Sequence, residues 1–519
     1  MGALRALLKL TVALGLLGAA AAAAAAEPQG PAAAVEVEEA DPLRAVEPPA
    51  EDAFAPAPPA EDGPRAEGAG AGQGEGGAEG GAEGGAEGGA EGGAEGGTEG
   101  GADGGAAGAE PEGRVLYRGA QLLRLTVEGE EQQRAVDRLV EEGEVELWRP
   151  KLADAADADV LVRRERLEAV RRALAEARVA AQVVIEDLQA AIDAENTLVS
   201  EEELDELQGR YGHRMEWQSY HALKDIHQFL DFMAETYPTL VSVSTIGTSE
   251  GGRPLKLLKI SGDRPDAPAI WVDGGIHARE WISPAAVTYL INELVLNREQ
   301  HGRAAQAVTW YVLAVVNPDG YEHSRQRDRL WRKNRRAPGA GTRCAGVDLN
   351  RNFGYKWGGA GSSRRPCDEI YAGAQAFSEP ETAAIARFVK STPNLKAYLS
   401  FHSYGQYVLY PWGYARSVPP DHEELRRVGD KMARAMRQAA GGSYRVGPAG
   451  ATLYPAAGGS DDWAKGAAGL KYTYTVELRD QGSYGFVLPA HLIEPTAKEA
   501  LAAARTLAEE LAPPAAAAA

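Results

Sequence analysis

Each of three apolar runs, typical of buried strands, is followed at once by histidine or glutamate. The runs are 269–275, 396–401 and 472–476, and the residues that follow them are His277 with Glu280, then His402, then Glu477. In open α/β sheets, sites form where the carboxyl ends of strands meet in a crevice. Zinc takes nitrogen from His and oxygen from Glu, and a catalytic zinc keeps one position for water. The pattern therefore predicts zinc ligands at His277, Glu280 and His402, with Glu477 as general base.

Residue types and spacing alone leave an alternative open. A single His at a strand end is often an ordinary hydrogen-bonded polar residue, and a His and a Glu three residues apart occur frequently by chance. In that interpretation, His277, Glu280 and His402 are unrelated polar residues. The two interpretations differ in whether the strand ends meet in one crevice.

Apolar strands alternate with helices from about residue 215 onward. The predicted strands are 255–260, 269–275, 309–316, 396–401 and 472–476, and the predicted helices lie near 219–235, 283–297, 379–391, 421–439 and 490–511. This alternation indicates an α/β domain with a mixed, mostly parallel sheet flanked by helices.

A smaller domain precedes it. Strands are predicted at 121–127, 144–148, 158–162 and 181–187, with helices at 130–143 and 166–177. The order β-α-β-β-α-β is that of a small α+β, ferredoxin-like domain. A helix at about 188–208 leads out of it. Arg210 and Arg214 then lie in a polar, Gly-containing segment that is open to a trypsin-like protease.

The N-terminal 113 residues are of a different kind. Residues 1–26 read as a secretory signal peptide, with Arg5 and Lys9 before a short apolar run. Residues 27–113 contain 21 Asp and Glu against two Arg, which accounts for −19 of the formal charge of −21. This segment, with its GGAE repeats, is predicted to be disordered. Neither a nucleic-acid partner nor a membrane span is expected, because no basic patch and no second long apolar run are present.

The chain contains two cysteines, Cys344 and Cys367. In an exported protein, one disulfide is the expected state of such a pair. Closing this loop would stabilise the fold by about 3 kcal/mol in the chain-entropy treatment. Because no CxxC spacing occurs, a zinc role for the cysteines is not expected.

Seven motifs resemble those of the zinc metallocarboxypeptidases of the pancreatic A/B type. They are GIHAREW, VVNPDGYE, RLWRKNR, VDLNRNF, SFHSYGQYVLYPWGY, YPAAGGSDDW and YTVELRDQGSYGFVLP, in that order. The resemblance runs from about residue 114 to 511 and does not cover the acidic segment. It implies the metallocarboxypeptidase fold, one Zn²⁺ per catalytic domain, and hydrolysis of the C-terminal bond of peptides and proteins.

The resemblance also implies roles for individual residues. His277, Glu280 and His402 match the zinc ligands, Glu477 and Arg332 the catalytic residues, and Asn350, Arg351 and Tyr454 the group that holds the substrate carboxylate. Arg279 and Tyr404 match residues of the outer subsites, Asp348 an acid that orients His277, and Cys344 and Cys367 a disulfide pair. One departure is the loop 463–472, which is one residue longer than the usual pattern.

The stretch YPAAGGSDDW decides the expected substrate preference. In the family register, Asp461 falls at the base of the pocket for the last side chain of the substrate. B-type enzymes carry Asp there and prefer Lys or Arg, whereas A-type enzymes carry a large apolar residue. Gly413 and Gly459 leave the pocket deep, and Asp462 matches a structural position. The alternative is that Asp461 caps the following helix, in which case an A-type preference for aromatic or aliphatic C-termini is expected.

The resemblance thus implies a secreted, monomeric zymogen that is closest to carboxypeptidase B. Residues 114–214 would form the pro-domain over the active-site cleft, and residues 215–519 the catalytic domain. A trypsin-like protease would release the enzyme by cleavage after Arg210 or Arg214. A rival from another class is a non-catalytic secreted binding protein on the same fold, since fold alone does not guarantee function.

Overall fold

The computed structural model of the chain describes residues 113–151, 156–196 and 199–512. The predicted signal peptide at 1–26, and all but the last residue of the acidic segment at 27–113, lie outside the described residues. An N-terminal α+β domain and a larger α/β domain form one compact unit. Among the described helices, none combines the length and the hydropathy that a membrane span requires.

The N-terminal domain has the predicted β-α-β-β-α-β order. Its elements are β1 (Gln121–Thr126), α1 (Glu130–Glu141), β2 (Glu146–Arg149), β3 (Asp157–Val162), α2 (Leu167–Glu176) and β4 (Ala180–Ile185). The strands form an antiparallel sheet in the order β2-β3-β1-β4. Leu123 and Leu125 lie on one face of β1, since alternate strand residues share a face. They pack with Val136 and Leu174 of the two helices, and the predicted ferredoxin-like fold is confirmed.

The linking helix is broken, and here the sequence prediction is wrong. One helix is predicted at 188–208. The structure has α3 (Leu188–Glu195) and α4 (Glu201–Tyr211). After α3, the Asn196 side chain bonds the backbone of Tyr220, accepting from its N–H at 2.7 Å and donating to its oxygen at 3.1 Å. Ser200 and Glu203 then form a capping box that begins α4, a device that typically stabilises a helix start by about 1 kcal/mol.

The larger domain is built on an eight-stranded sheet. Its strands are β5 (Val241–Thr248), β6 (Pro254–Ile260), β7 (Ala269–Gly274), β8 (Thr309–Leu313), β9 (Leu395–His402), β10 (Tyr407–Tyr410), β11 (Arg445–Pro448) and β12 (Tyr472–Glu477). They lie in the order β11-β10-β12-β9-β7-β8-β6-β5. The central strands β12, β9, β7 and β8 are parallel, and β10 and β11 pair parallel, while the remaining three pairings are antiparallel. The predicted mixed, mostly parallel sheet is confirmed.

Helices cover both faces of this sheet. They are α5 (Leu223–Thr236), α6 (Ile282–Leu296), α7 (Gly302–Gln306), α8 (Pro318–Gln326), α9 (Pro380–Lys390), α10 (His422–Ala440), α11 (Ala449–Thr452), α12 (Ser460–Gly466) and α13 (Ile493–Leu511). Phe229, Met432 and Leu507 belong to the apolar cluster on one face, which includes α5, α6, α10 and α13. Ile385 of α9 and Trp463 of α12 belong to the cluster on the other face. A sheet covered on both faces has strands that are apolar throughout, which explains the complete burial of β7.

Seven elements of the larger domain are not predicted by the sequence pattern. They are β5, β10 and β11 among the strands, and α7, α8, α11 and α12 among the helices. β5 is an edge strand in which Ser and Thr separate the apolar residues. α8 has nine residues, but Tyr321 is its one large apolar side chain, and the remaining five elements are too short to display a clear period. Among the short elements, α12 matters most here because it carries Asp461.

Candidate active site

The three strand ends that carry the predicted chemistry are neighbours in the sheet. β9 lies between β7 and β12 and runs parallel to both, so its carboxyl end is next to theirs. Glu477 at the end of β12 pairs in register with His402 at the end of β9. His277 and Glu280 lie in the turn between β7 and α6. The four residues therefore meet at one edge of the sheet.

Three of these side chains form a compact cluster of metal-binding atoms. One ligand atom from each of His277, Glu280 and His402 lies within 4.8 Å of the other two. Nδ1 of His277 is 2.7 Å from Oε1 of Glu280, and Nδ1 of His402 is 3.1 Å from Oε2. All three residues are buried. Two imidazoles and a carboxylate are a protein ligand set of catalytic zinc sites, which keep a fourth position open. The interpretation as unrelated polar residues does not hold.

Asp348 lies behind this cluster and contacts its first histidine. Its Oδ1 is 3.2 Å from Nε2 of His277. Its Oδ2 accepts from Nε and Nη2 of Arg332 at 3.1 and 2.9 Å. Burial opposes ionisation, but Arg332 and Arg351 outweigh it and hold the pKa of Asp348 well below its usual range. A charged carboxylate on the second ring nitrogen fixes the orientation of a metal-binding imidazole.

Glu477 lines the pocket above the cluster without belonging to it. Burial raises the pKa of its carboxyl to about 7, although the positive charge of His402 opposes this shift. A carboxyl group with a pKa near neutrality can both accept and release a proton at neutral pH. Glu477 is thus suited to general acid–base chemistry.

The residues expected to hold the substrate carboxylate line the same pocket. These are Asn350, Arg351 and Tyr454. The Arg351 guanidinium donates to the backbone oxygens of Gly361 and Asn350 at 2.8 and 2.9 Å, which fixes its plane. Oδ1 of Asn350 accepts from the backbone N–H of Ser460 at 2.9 Å. The amide of Asn350 therefore keeps its NH₂ group available as a donor.

The two adjacent acids of α12 have different surroundings. Asp461 is 6% exposed and lines the pocket together with Gly413 and Thr475. Asp462 instead accepts from the backbone N–H groups of Gly413 and Tyr414, at 2.8 and 2.7 Å. The helix begins after Gly459 and no side chain caps it. Asp461 thus lines the pocket and also interacts with first-turn backbone N–H groups, whereas Asp462 holds the loop beside the pocket.

The N-terminal domain lies at the mouth of this pocket. Trp148, Arg149 and Pro150 line it together with the residues described above. The ring of Trp148 lies 4.9 Å from that of Phe486, which in turn lies 5.0 Å from the ring of Tyr404. A buried apolar cluster thus spans the contact between the two domains.

Both predicted outer-subsite residues are bonded to the N-terminal domain. Nη1 of Arg279 donates to Oε1 of Glu146 at 2.6 Å. The Tyr404 hydroxyl donates to Oδ2 of Asp159 at 3.2 Å. In this state neither side chain is free to contact a peptide.

The predicted disulfide joins Cys344 to Cys367, with Cα atoms 5.0 Å apart. The closed loop contains the short 3₁₀ turn Leu349–Arg351. Because Asp348 caps this turn by accepting from the N–H of Asn350 at 2.9 Å, the cross-link restrains the segment that carries three predicted site residues.

The two arginines predicted as cleavage sites differ in their surroundings. Arg210 is exposed and lies in the last turn of α4. Arg214 lies beyond the helix end with only 19% of its side chain exposed, and it pairs with Glu201 at 2.9 Å and with Asp205. Of the two, Arg210 is the more accessible.

Sequence reasoning missed several residues that contact the site. Glu146, Trp148 and Asp159 reach it from another domain, and no local pattern marks them. Thr475 also lines the pocket. It could have been found, because it lies two residues before Glu477 on β12, and alternate strand residues share a face.

Two family models match the chain. One, described as zinc carboxypeptidase, matches residues 226–503, which is more than half of the chain. The other, described as carboxypeptidase activation peptide, matches residues 123–195. The chain therefore belongs to the zinc carboxypeptidase family. It is a zinc-dependent hydrolase of peptides that carries an activation propeptide.

Individual relatives include both specificity types. Carboxypeptidase B of Astacus astacus is 44% identical over 295 residues, covering 57% of this chain and 97% of the relative. Carboxypeptidase A1 of Bos taurus is 37% identical over 405 residues, covering 76% of this chain and 95% of the relative. The crystal structure of thrombin activatable fibrinolysis inhibitor matches with a TM-score of 0.68 and 33% identity. The match covers 76% of this chain and 99% of that structure's chain. These similarities establish the family without deciding between A-type and B-type specificity.

Proposed function

We propose that this chain is the secreted zymogen of a B-type zinc carboxypeptidase, which removes Lys or Arg from the C-termini of peptides and proteins. The observation that carries the specificity is the buried carboxylate of Asp461 in the pocket. Burial raises the pKa of Asp461, and hydrogen bonds from backbone N–H groups and Thr475 do not offset it. A lysine ammonium or arginine guanidinium would supply the missing counter-charge.

The catalytic step is assigned to Glu477 and Arg332. His277, Glu280 and His402 would hold the zinc, which would supply Lewis-acid chemistry that makes water a better nucleophile near neutral pH. Glu477 takes the proton of the attacking water and passes it to the nitrogen of the leaving residue. Arg332 donates to the carbonyl oxygen of the scissile bond as negative charge develops there. Since Asp348 already holds the Arg332 guanidinium, this donor is oriented before the substrate binds.

The free carboxylate of the substrate is assigned to Asn350, Arg351 and Tyr454. A planar guanidinium matches a carboxylate with two parallel hydrogen bonds. Arg351 supplies that group, Asn350 adds an NH₂ donor, and the Tyr454 hydroxyl closes over the carboxylate. The separation between this anchor and the zinc cluster selects the last peptide bond of the chain. Arg279 and Tyr404 then contact residues further from the C-terminus.

The zymogen state is supported by the N-terminal domain at the pocket mouth. Removing that domain frees Arg279 from Glu146 and Tyr404 from Asp159. We assign the activating cut by a trypsin-like protease to Arg210 rather than Arg214. Arg210 is exposed at a helix end, whereas Arg214 is half-buried and ion-paired.

The proposed organisation divides the chain into four segments. Residues 1–26 form the signal peptide, 27–113 the acidic segment, 114–214 the pro-domain, and 215–519 the catalytic domain. The disulfide supports secretion, because such bonds persist mainly in oxidising compartments. The protein acts as a monomer outside the cell.

The test compares two matched peptides, one ending in Arg and one in Phe, after limited trypsin treatment of the full chain. Faster release of Arg, abolished by a zinc chelator and restored by added zinc, is the expected result. Faster release of Phe would keep the zinc mechanism and favour an A-type enzyme. No release of either residue from folded, processed protein would favour a non-catalytic binding protein.

A further inference from the structure

The second zinc-binding histidine lacks the partner that the first one has. Nε2 of His277 faces Asp348, but Nε2 of His402 is buried and bonds none of the described residues. Metal-binding histidines almost always donate their second N–H to a carboxylate, a carbonyl oxygen or water. Leaving a buried polar group without a partner is energetically unfavourable. A partner for Nε2 of His402 is therefore expected.

A buried carboxylate lies near it, on the adjacent strand. Asp273 of β7 is fully buried and pairs in register with Ser400 of β9, two residues before His402. Since alternate residues of a strand share a face, Ser400 and His402 lie on the same side of the sheet. The Ser400 hydroxyl donates to Oδ1 of Asp273 at 2.6 Å, and Nε1 of Trp271 donates to Oδ2 at 2.6 Å.

Asp273 has no part in the mechanism described above, yet it interacts electrostatically with the site. Burial raises its pKa, interactions with the side chains of Ser400, Tyr398 and Trp271 oppose the shift, and the charge on His402 opposes it further. Each carboxylate oxygen has two lone pairs, so each oxygen of Asp273 can accept one more hydrogen bond. Asp273 is thus a buried acid that retains acceptor capacity beyond the bonds from Ser400 and Trp271, with the Tyr398 hydroxyl also facing it.

The region between this face of the sheet and α12 is polar. Three further buried hydroxyls make no close hydrogen bond among the described residues, namely those of Tyr398 on β9, Thr473 on β12 and Ser460 on α12, although that of Tyr398 faces Asp273 and Ser460. A buried water needs two to four such polar partners. The cluster of unpartnered groups is the kind of surrounding in which ordered water is found.

We propose that Asp273 is a positioning residue for the zinc ligand His402, with Ser400 holding its carboxylate and an ordered water linking it to Nε2. The arrangement parallels that of Asp348 and His277, but it is one water longer. Asp273 touches neither zinc nor substrate and acts only by fixing the imidazole of His402. The proposal rests on the zinc cluster and not on the preference for Lys or Arg.

The test measures zinc affinity of the full chain, metal-free at the start, against a competing chromophoric chelator. Asp273→Asn keeps the size of the side chain and removes its charge. We expect it to raise the Kd for zinc about 10-fold or more, the range found when such partners are removed. Ser400→Ala should raise the Kd by a smaller factor in the same direction.

The matched control is Thr506→Val, which removes a buried hydroxyl that donates to the backbone oxygen of Ala502 within its own helix, α13. Its Kd for zinc should equal that of the unaltered protein. The unfolding temperature of each metal-free variant is measured in parallel. A lower unfolding temperature with an unchanged Kd in both Asp273→Asn and Ser400→Ala would overturn the proposal and leave Asp273 a purely structural acid. If Asp273→Asn does not fold, Ser400→Ala decides.

Failure of this test is distinguishable from failure of the proposed specificity, because zinc titration uses no peptide. A crystal structure of the zinc-loaded chain gives a second, independent readout. Water within hydrogen-bond distance of both Nε2 of His402 and Asp273 supports the proposal. Another partner on Nε2 contradicts it.

Discussion

Asp461 and Asp462 of α12 have different contacts because the side chains of successive helix residues point about 100° apart. Asp461 lines the pocket, and Asp462 bonds the backbone of Gly413 and Tyr414. One acid therefore faces the pocket and the other holds the loop beside it. The two can therefore be separated by mutation.

Asp461→Asn should lower kcat/KM for a peptide ending in Arg about 100-fold and leave a Phe-ending peptide nearly unchanged. Removing one partner of a buried charge pair typically costs about 2–5 kcal/mol. The measurement is steady-state hydrolysis by the processed enzyme. Asp462→Asn serves as the neighbouring control and should act on thermal stability, since it weakens two backbone hydrogen bonds. Equal losses on both peptides in Asp461→Asn would refute the specificity role.

Glu477→Gln should lower kcat about 1,000-fold, because general acid–base groups contribute about 10²–10⁴. KM and the Kd for zinc should stay unchanged, since Glu477 is outside the metal-binding cluster. Steady-state kinetics on one substrate gives kcat and KM, and zinc titration gives the Kd, so a catalytic loss is separated from weaker binding of substrate or metal. A variant that retained most of its kcat would remove Glu477 from the catalytic role.

Among individual residues, the sequence predicts the functional side chains that lie at the ends of apolar strands. His277, His402 and Glu477 each directly follow or end an apolar run, so their convergence could be expected from sheet geometry. Asp273 could not be found in this way. Its significance depends on its pairing with Ser400, which is 127 residues away in the chain.

Among the elements, α4 joins the two domains and carries the proposed cleavage site. Its start depends on the capping box of Ser200 and Glu203, and its end on Gly212, which has the left-handed conformation that glycine adopts readily. No residue of α4 is buried. The helix is therefore held mainly by its caps and by the ion pairs of Arg214.

Ser200→Ala should speed tryptic cleavage after Arg210 about fivefold. Loss of an N-cap costs about 1 kcal/mol, and cleavage of a helical site follows the population of its opened form when opening is fast. Initial rates at low trypsin concentration, followed by mass spectrometry, give the answer. Ser391→Ala, at an exposed serine that follows α9, is the control. An unchanged rate at Arg210 would show that α4 does not limit cleavage.

The long elements are the ones that local sequence predicts. β7 and α13 have enough residues to show a clear apolar pattern, whereas β10 and β11 have four residues each. The break between α3 and α4 escapes prediction for a different reason. Asn196 bonds Tyr220, a residue 24 positions later, and a local window does not contain that partner.

For the whole molecule, the central feature is the contact of the two domains over the pocket. It combines the apolar cluster around Trp148 and Phe486 with the bonds of Arg279 to Glu146 and of Tyr404 to Asp159. The sequence predicts both folds, and only the family resemblance suggests that one covers the other. The contact depends on residues more than 130 positions apart, which no local pattern encodes.

Glu146→Gln should raise the activity of the uncleaved chain on a small Arg-ending peptide several-fold. A hydrogen bond to a charged group such as the Arg279 guanidinium contributes about 1.5–3 kcal/mol, so weakening it loosens the contact that covers the pocket. The matched control is Glu144→Gln, which alters a carboxylate that pairs with Arg166 inside the N-terminal domain, at 3.1 Å. Activity that rose equally in both variants, or in neither, would contradict this role for Glu146.

The ion pairs of Arg214 have a consequence for the time course of activation. A cut after Arg210 leaves Arg214 on the enzyme and its partners Glu201 and Asp205 on the severed fragment. Cleavage thus turns a contact within one chain into a complex of two molecules, whose lifetime and occupancy follow mass action. Dilution after cleavage would then release the N-terminal fragment from the catalytic domain. In a concentrated solution of cleaved protein, part of the fragment would stay bound and keep the pocket covered.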